Sequence, residues 1–214
     1  MAIIYRAQIR PTKLELIGSW LPPQPWFGSR RVDSLASLGA YRFDDPSGGV
    51  GIETLLVGVA GVVVQVPMTY RGAPLAGAEA ALMGTMEHSV LGTRWVYDAC
   101  ADPVYANELA TAILTGGTQV DEFVEGDAGP TLRASTASVK GSGAPDAEVM
   151  RVANVDDLSV STTGTASTVT APTWELTVAR VVESGGSFPR VEAELIGTWA
   201  AQPQPVRLAS GRHR

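Results

Sequence analysis

The sequence predicts an α+β fold, an antiparallel β-sheet packed by a few helices and followed by a β-rich C-terminal extension. Two segments in the first half carry helix-start signals and helical spacing, and Val-rich runs punctuated by Gly lie between them. From Thr118 onward no helical period appears, and Thr, Ser, Val and Gly are frequent. We therefore predict two parts, residues 1–125 and residues 126–214, with the second packed on the sheet of the first.

The chain begins with a predicted strand, Ala2–Ile9, and continues into a short helix. Thr12 is placed as the N-cap, and Glu15 follows three residues later as its capping-box partner. Apolar residues at helical spacing form one face of this helix: Leu14, Ile17 and Leu21. Pro22 and Pro23 end it, because proline lacks the N–H that helix hydrogen bonds need.

The next segments predict the main sheet. Leu35–Phe43 is a strand candidate, and Val50–Val57 with Val62–Tyr70 forms a predicted hairpin punctuated by Gly. The second hairpin strand carries Val on both faces, which is typical of a central strand covered on both sides. Ala76–Met86 is compatible with a short helix or with a loop that leads into a strand. Val90–Tyr97 is the following strand candidate.

A second helix begins at Asp102-Pro103, with Asp as the N-cap and Pro as the first helical residue. The apolar spacing carries it to about Leu114. Gly116-Gly117 then ends it, because glycine readily adopts the left-handed conformation common after a helix.

The extension contains further strand candidates: Leu132–Val139, Ala147–Val152, Thr173–Val182 and Val191–Trp199. Ser159–Thr170, made almost entirely of small and β-branched residues, is either an exposed hairpin or a mobile loop. Residues 183–187 predict a turn, and residues 211–214 a solvated basic tail. The hexapeptide Glu15–Trp20 returns in similar form as Glu194–Trp199, which we interpret as coincidence because the two copies have different predicted structures.

Composition limits the function classes. The net charge of −6 argues against a nucleic-acid partner, because phosphate binding needs clustered Lys and Arg. No apolar run approaches the roughly 20 residues of a membrane helix, and Arg6 and Arg10 interrupt the N-terminal apolar run that a signal peptide would need. Cys100 is the only cysteine, which excludes an intrachain disulfide and fits a reducing compartment. These features predict a soluble, cytoplasmic protein without a membrane partner.

The sequence contains no recognisable reaction centre. Gly48–Gly51 is the nearest approach to a phosphate-binding loop, but it precedes a strand and not a helix. On a strand, Asp98, Cys100 and Asp102 would share one face, yet Asp102 is better explained as a helix cap and Cys100 as a small buried residue. His88 is adjacent to Ser89, which does not create triad geometry. We therefore predict no catalytic residue, no metal and no cofactor.

The aromatic residues can be interpreted either as a binding surface or as part of the hydrophobic core. Aromatic rings can stack on sugars or anchor an interface, but they more often fill a core. The rings in question lie in or beside the predicted helices and the Val90–Tyr97 strand: Trp20, Trp26, Phe27, Trp95, Tyr97 and Tyr105.

Several short segments carry a family resemblance. They include PTKLEL with WLP, YRFDDP, VGIET, VPMTYR, GTMEHSVLG and RWVYD, spread in order between residues 11 and 98. Together they resemble the N-terminal cap domain of actinobacterial maltokinases and related sugar kinases, over roughly residues 1–125. The resemblance implies a cystatin-like antiparallel sheet packed by helices. The H-G-D-type catalytic loop of those kinases does not occur here, so the resemblance implies a free-standing cap and gives no catalytic or nucleotide-binding residues.

These observations predict a non-catalytic binding or regulatory module that docks on a protein partner, such as a trehalose- or glycogen-pathway enzyme or a kinase domain. One alternative is a small-saccharide-binding protein in which Trp26, Trp95 and Tyr97 stack on the sugar. Another is an enzyme that uses Glu87, His88 and Asp98. The candidate binding or interface residues are Trp20, Trp26, Glu87, His88, Arg94, Trp95, Tyr97 and Asp98.

Overall fold

The computed structural model describes residues 2–5, 7–126, 129–182 and 191–214. Its helices are α1 (Lys13–Trp20) and α2 (Pro103–Thr115). Its strands, in chain order, are β1 (Ala2–Ile4), β2 (Ile9–Arg10), β3 (Ala36–Tyr41), β4 (Gly51–Val59), β5 (Val62–Arg71), β6 (Leu82–His88), β7 (Gly92–Asp98), β8 (Glu122–Val124), β9 (Thr131–Arg133), β10 (Ala137–Gly141), β11 (Ser159–Thr163), β12 (Ala166–Thr170), β13 (Trp174–Ala179), β14 (Val181–Val182), β15 (Ala193–Trp199) and β16 (Gln202–His213). The α+β class is confirmed.

The described strands form three sheets. A seven-stranded antiparallel sheet has the order β2-β6-β7-β5-β4-β3, with β14 paired beside β5. A six-stranded antiparallel sheet has the order β10-β15-β16-β13-β12-β11. In the small third sheet, β1 runs parallel to β8, and β9 pairs with β8 on its other side.

Both helices begin where local chemistry predicts. The Thr12 hydroxyl accepts from the Glu15 N–H, and the Glu15 carboxylate accepts from the Thr12 N–H at 2.8 Å, which confirms the capping box. Asp102 accepts from the Val104 N–H at 2.9 Å, with Pro103 as the first helical residue. Gly116 ends α2 with φ 75°, a left-handed conformation that favours glycine.

The predicted hairpin forms from β4 and β5, and β5 is a central strand whose residues 64–69 are buried. Of the two readings of Ala76–Met86, the loop leading into a strand is correct, because β6 begins at Leu82 after one short 3₁₀ turn. Ser159–Thr170 forms the hairpin of β11 and β12 at the edge of the six-stranded sheet. The hexapeptide echo folds as α1 in its first copy and as β15 in its second.

Two hydrophobic clusters hold the molecule together. The smaller packs α1 and the residues after it on one face of the seven-stranded sheet, including Trp20, Trp26 and Met68. The larger joins residues of α2, such as Leu109, to residues of both large sheets, such as Leu56 and Leu195. The seven-stranded sheet is therefore covered on both faces.

Helix α2 lies very close to β10. A Cβ added at Gly141 would lie 1.8 Å from the Ala112 carbonyl oxygen, a distance that no side chain tolerates. Glycine at this position allows the helix and the strand to pack in direct backbone contact.

The segment from β13 to β14 passes directly from one large sheet to the other. β13 pairs with β12 and β16 in the six-stranded sheet, whereas β14 pairs with β5 in the seven-stranded sheet. Arg180 lies between them. The Gln65 side chain of β5 supports the crossing, because its amide N–H groups donate to the Ala179 carbonyl at 3.0 Å and the Leu208 carbonyl at 2.9 Å. Gln65 in turn accepts from the Tyr41 hydroxyl at 3.0 Å.

The predicted strand Thr173–Val182 is therefore two strands, β13 and β14, in different sheets. Three further predicted strands need correction. Ala2–Ile9 is not one strand: Ile4 pairs with Val124 in the small sheet, and Ile9 pairs with His88 in the seven-stranded sheet. Leu132–Val139 likewise divides into β9 and β10, which belong to different sheets.

Ala147–Val152 is the third, and it is irregular chain. Side chains satisfy its backbone instead of a neighbouring strand: Asn107 bonds both the N–H and the carbonyl of Val152, and the Trp174 indole donates to the Met150 carbonyl at 2.8 Å. Its valines Val149 and Val152 still pack against the larger core cluster.

The C-terminal residues were wrongly predicted to be a solvated tail. Residues up to His213 belong to β16, which pairs with β13 and β15. Acidic side chains fix the basic run in place: Glu175 binds Arg212 at 2.7 Å, and Glu192 binds the His213 ring at 2.5 Å. The turn predicted at residues 183–187 lies outside the described residues. None of the helices in the described chain has the length and apolar character needed to cross a membrane.

Candidate functional site

A cleft of about 520 Å³ opens at one end of the seven-stranded sheet, where β4 begins and β5 and β6 end. This volume is typical of small-molecule sites. Polar lining residues come from six separate parts of the chain and include Tyr5, Lys13, Arg42 with Asp45, Tyr70, His88 and Arg94.

A buried carboxylate lies at the base of this cleft. Glu53 on β4 is 4% exposed and is bound by Lys13 Nζ at 2.5 Å, Arg42 Nη2 at 2.7 Å and the Tyr70 hydroxyl at 2.8 Å. Burial alone would raise the pKa of Glu53, but the charges of Arg42 and Lys13, with the hydrogen bonds from Lys13 and Tyr70, lower it to about 2. The carboxylate therefore stays ionised and fixes two cations and one phenol in the wall of the cleft.

The charge network continues behind Arg42. Its Nε lies 3.8 Å from Glu122 on β8, and Glu122 lies equally close to Arg133 on β9. Burial raises the pKa of Glu122, although Arg42 and Arg133 act against that rise. The small third sheet thus supplies one carboxylate and one further cation to the region around Arg42.

His88 lies at the end of β6, on the wall of the cleft. Its Nδ1 accepts from the N–H groups of Val90 at 3.3 Å and Leu91 at 3.1 Å, which requires an unprotonated Nδ1 and places the ring proton on Nε2. Burial and then the positive charges of Arg94 and Lys13 lower the pKa of His88. The Arg94 guanidinium donates to the Leu91 carbonyl, so both residues hold the β6–β7 turn.

The opposite rim is a tight loop held by Asp45. Its carboxylate accepts from the N–H groups of Ser47, Gly49 and Val50, each at 2.9 Å. The turn predicted from the composition of residues 44–49 is therefore present, and Asp45 is the residue that orders it.

Of the residues chosen from the sequence, His88 and Arg94 line the cleft together. Glu87 is exposed, adjacent to His88 on β6, and accepts from the Thr93 hydroxyl at 2.8 Å. Trp95 and Tyr97 alternate with Arg94 along β7 and therefore point to the other face of the sheet. Tyr97 is buried, and its hydroxyl accepts from the Leu75 N–H at 2.8 Å.

The remaining tryptophans are core residues. Trp20 and Trp26 pack 5.7 Å apart between ring centroids, and Trp26 is only 3% exposed. The Arg180 guanidinium stacks over the Trp26 ring at 5.5 Å. Of the three rings proposed to stack on a saccharide, burial leaves only Trp95 partly accessible.

Asp98 has a structural partner far from His88. It binds Arg180 through contacts of 2.6 and 2.8 Å, and it lies at the end of the β6–β7 hairpin opposite His88. The six-residue separation along β7 corresponds to about 20 Å. The structure therefore does not bring Glu87, His88 and Asp98 together.

Asp98, Cys100 and Asp102, the group weighed in the sequence as metal ligands, have other roles. Asp102 accepts from Thr69 and, through both of its oxygens, from Arg71, all at 2.7 Å. Cys100 is buried, and burial raises the pKa of its thiol to about 12. Among the described residues, no three His, Cys, Asp or Glu side chains are placed to hold a metal.

Sequence reasoning missed three residues that line the cleft, Lys13, Arg42 and Tyr70. It also missed Glu53, the buried carboxylate that binds all three. One signal was available. Glu53 is the only charged residue in the otherwise apolar strand Gly51–Val59, and a charge in a buried strand requires partners.

Comparison with known families supports the resemblance seen in the sequence. Residues 20–102 match the family model of the maltokinase N-terminal cap domain. The matched region contains β3 to β7 and the cleft residues Arg42, Tyr70, His88 and Arg94, whereas Lys13 precedes it. A search of curated proteins found no match.

Proposed function

We propose that this protein is a non-catalytic binding module, built around a cystatin-like maltokinase cap, that acts in trans on a sugar-metabolising enzyme or a kinase domain. The observation that carries the proposal is the cleft: it has the volume of a ligand site, lies largely within the cap-like region, and has a wall fixed by the buried Glu53. The link to sugar metabolism rests on the match to the maltokinase cap.

The use of the ionisable residues supports a non-catalytic role. Asp98, Cys100 and Asp102 are engaged in buried contacts, and His88 binds the turn that follows it. A nucleophilic or acid–base mechanism needs a reactive group within hydrogen-bond reach of its base and open to substrate. The side chains best suited to chemistry are instead occupied in holding the fold.

An exposed apolar turn next to the cleft supports protein docking. Val90 and Leu91 join β6 to β7 and are 57% and 40% exposed. Large apolar side chains beside a charged pocket are typical of an interface anchor with a polar rim. The acidic chain, with net charge −6, would select among partners by charge.

The test is affinity capture of the tagged protein from its own cells, with bound proteins identified by mass spectrometry. We expect a stoichiometric sugar-metabolising enzyme or kinase with the wild-type protein. Capture should be lost with the Val90→Ser/Leu91→Ser variant, because the apolar anchor is removed. Val160→Ser is the matched control, since Val160 is 42% exposed but lies on β11 of the other sheet.

Recovery of the protein alone, with no enzyme, would contradict docking in trans. Equal capture by the Val90→Ser/Leu91→Ser variant and by the control would move the interface away from this turn.

A second candidate function, saccharide binding, is favoured by the Tyr5 and Tyr70 rings in the cleft wall. Calorimetric titration with maltose or trehalose should then give a saturable heat at millimolar sugar. A titration indistinguishable from dilution would exclude this candidate.

A further inference from the structure

We infer that the cleft binds a small molecule carrying a phosphate or carboxylate group, held at the end where Lys13, His88 and Arg94 lie. The inference rests on the proposed role of the cleft as a binding site and specifies the chemistry of its ligand.

The charges of the wall favour an anion. Among the described lining residues, Lys13, Arg42 and Arg94 are cationic, whereas Asp44 and Asp45 are anionic. Asp45 lies on the far rim, where three N–H groups bind its carboxylate. With Glu53, which binds Lys13 and Arg42, three carboxylates balance these three cations over the whole cleft, and the positive charge is localised at the β6–β7 end, where Arg94 lies.

Arg94 is the cleft cation that has no carboxylate partner among the described residues. Among the described residues it forms no ion pair with a carboxylate, and its Nε has no hydrogen-bond partner. Its one hydrogen bond goes to the neutral Leu91 carbonyl. A guanidinium presents a planar fork of N–H donors that matches phosphate and carboxylate oxygens, so a half-buried Arg94 without a carboxylate partner is suited to bind either group.

Lys13 and Arg42 add charge in a fixed position. Both are bound to Glu53, and Glu122 lies near both Arg42 and Arg133, so this network of three cations and two carboxylates retains one positive charge in excess. Because Glu53 fixes both side chains, an incoming anion meets cations that are already ordered, which lowers the entropic cost of binding.

His88 offers a hydrogen-bond donor to a bound anion, and its ring resonances can be used to detect binding. With Nδ1 occupied as an acceptor, the neutral ring presents Nε2–H. The groups that face the ring are Tyr5 from the N-terminal segment, Lys13 from α1 and Arg94 from β7. Since both charged neighbours are cations that lower the pKa of His88, an anion bound beside them would act against this lowering.

The experiment follows the two histidine rings of the full-length protein by NMR during titration with inorganic phosphate or succinate at constant ionic strength. We expect a saturable shift of the His88 resonances and a rise in the His88 pKa, because a bound anion stabilises the imidazolium. His213 is the internal control: it is paired with Glu192 on the other sheet and should not show a saturable response.

Two variants test the role of the guanidinium. Arg94→Gln should weaken anion binding roughly tenfold or more, the usual effect of losing a hydrogen bond to a charged group. Arg31→Gln removes the same charge from a side chain that is 87% exposed and does not line the cleft, and it should bind like the wild type. Unchanged His213 resonances in both variants would show that the fold is retained.

The outcomes separate this inference from the proposed function. The inference is overturned if neither anion gives a saturable His88 shift, or if Arg94→Gln binds as tightly as wild type. Capture of an enzyme without any anion response would leave the binding module intact and remove only the anion site. A saturable response to maltose alone would assign the cleft to neutral saccharides.

Discussion

The two large sheets differ in how many of their faces are covered by the rest of the protein. In the six-stranded sheet, β13 and β15 alternate buried and half-buried residues, so one face meets the core and the other meets solvent. In the seven-stranded sheet, β4 and β5 are buried almost continuously, because α1 covers one face and α2 with the second sheet covers the other. In a sheet covered on both faces, charged side chains cannot reach solvent, so each buried charge needs a partner within the protein. The buried charge of Glu53 and its partners therefore lie in the seven-stranded sheet, where the cleft opens.

The largest expected effect comes from separating the two regions. Residues 1–125 expressed alone should lose cooperative urea unfolding, because Tyr105, Leu109 and Ile113 of α2 would be exposed and β5 would lose its β14 neighbour. The measurement is circular dichroism against urea concentration, with the full chain as the reference. A cooperative transition at the same midpoint in both proteins would show that the seven-stranded sheet is independent of the extension.

Breaking the ion pair between the regions should have the next largest effect. Arg180 is 1% exposed, and Asp98→Ala would leave its charge buried without a carboxylate, which typically costs about 3–5 kcal/mol of unfolding free energy. Adding Arg180→Met should recover part of that loss. Glu87→Ala is the control, since that exposed side chain should change stability by no more than about 0.5 kcal/mol. A loss in Asp98→Ala no larger than in Glu87→Ala would show that the pair is not needed to join the sheets.

The third prediction concerns acid stability of the cleft. Because the pKa of Glu53 is lowered to about 2 in the folded protein, its stabilising contribution is complete above the ordinary glutamate pKa near 4.5 and is lost as pH falls toward 2. The loss is on the order of 3 kcal/mol across that window. In urea unfolding at a series of pH values, Glu53→Gln should flatten the acid dependence, whereas the exposed Glu87→Gln should leave it unchanged. Parallel pH profiles for wild type and Glu53→Gln would contradict the role of the Lys13–Glu53–Arg42 cluster.

Local features were predictable from the sequence because neighbouring residues determine them. The capping box of Thr12 and the Asp102-Pro103 helix start depend on contacts within a few residues. The cleft could not be predicted in this way. Its residues meet through strand register, as where Gly51 pairs with Tyr70, and no local pattern encodes that pairing.

The wrong predictions have the same origin. Ala147–Val152 carries a strand-like pattern, but distant side chains, Asn107 and Trp174, occupy its backbone groups. The basic C-terminal run was taken as solvated because Glu175 and Glu192, which bind it, are remote in sequence. In both cases tertiary partners overrode a local signal.

The passage of one chain segment from β13 to β14 has a consequence for signalling. Backbone hydrogen bonds tie its two halves to different sheets, and the Gln65 side chain of β5 reaches across to the Ala179 and Leu208 carbonyls of the six-stranded sheet. Hinge and shear motions need an interface that can slide or a linker that can bend, and this junction offers neither. A partner would therefore sense ligand binding through the altered charge and shape of the cleft mouth, and not through rotation of one sheet against the other.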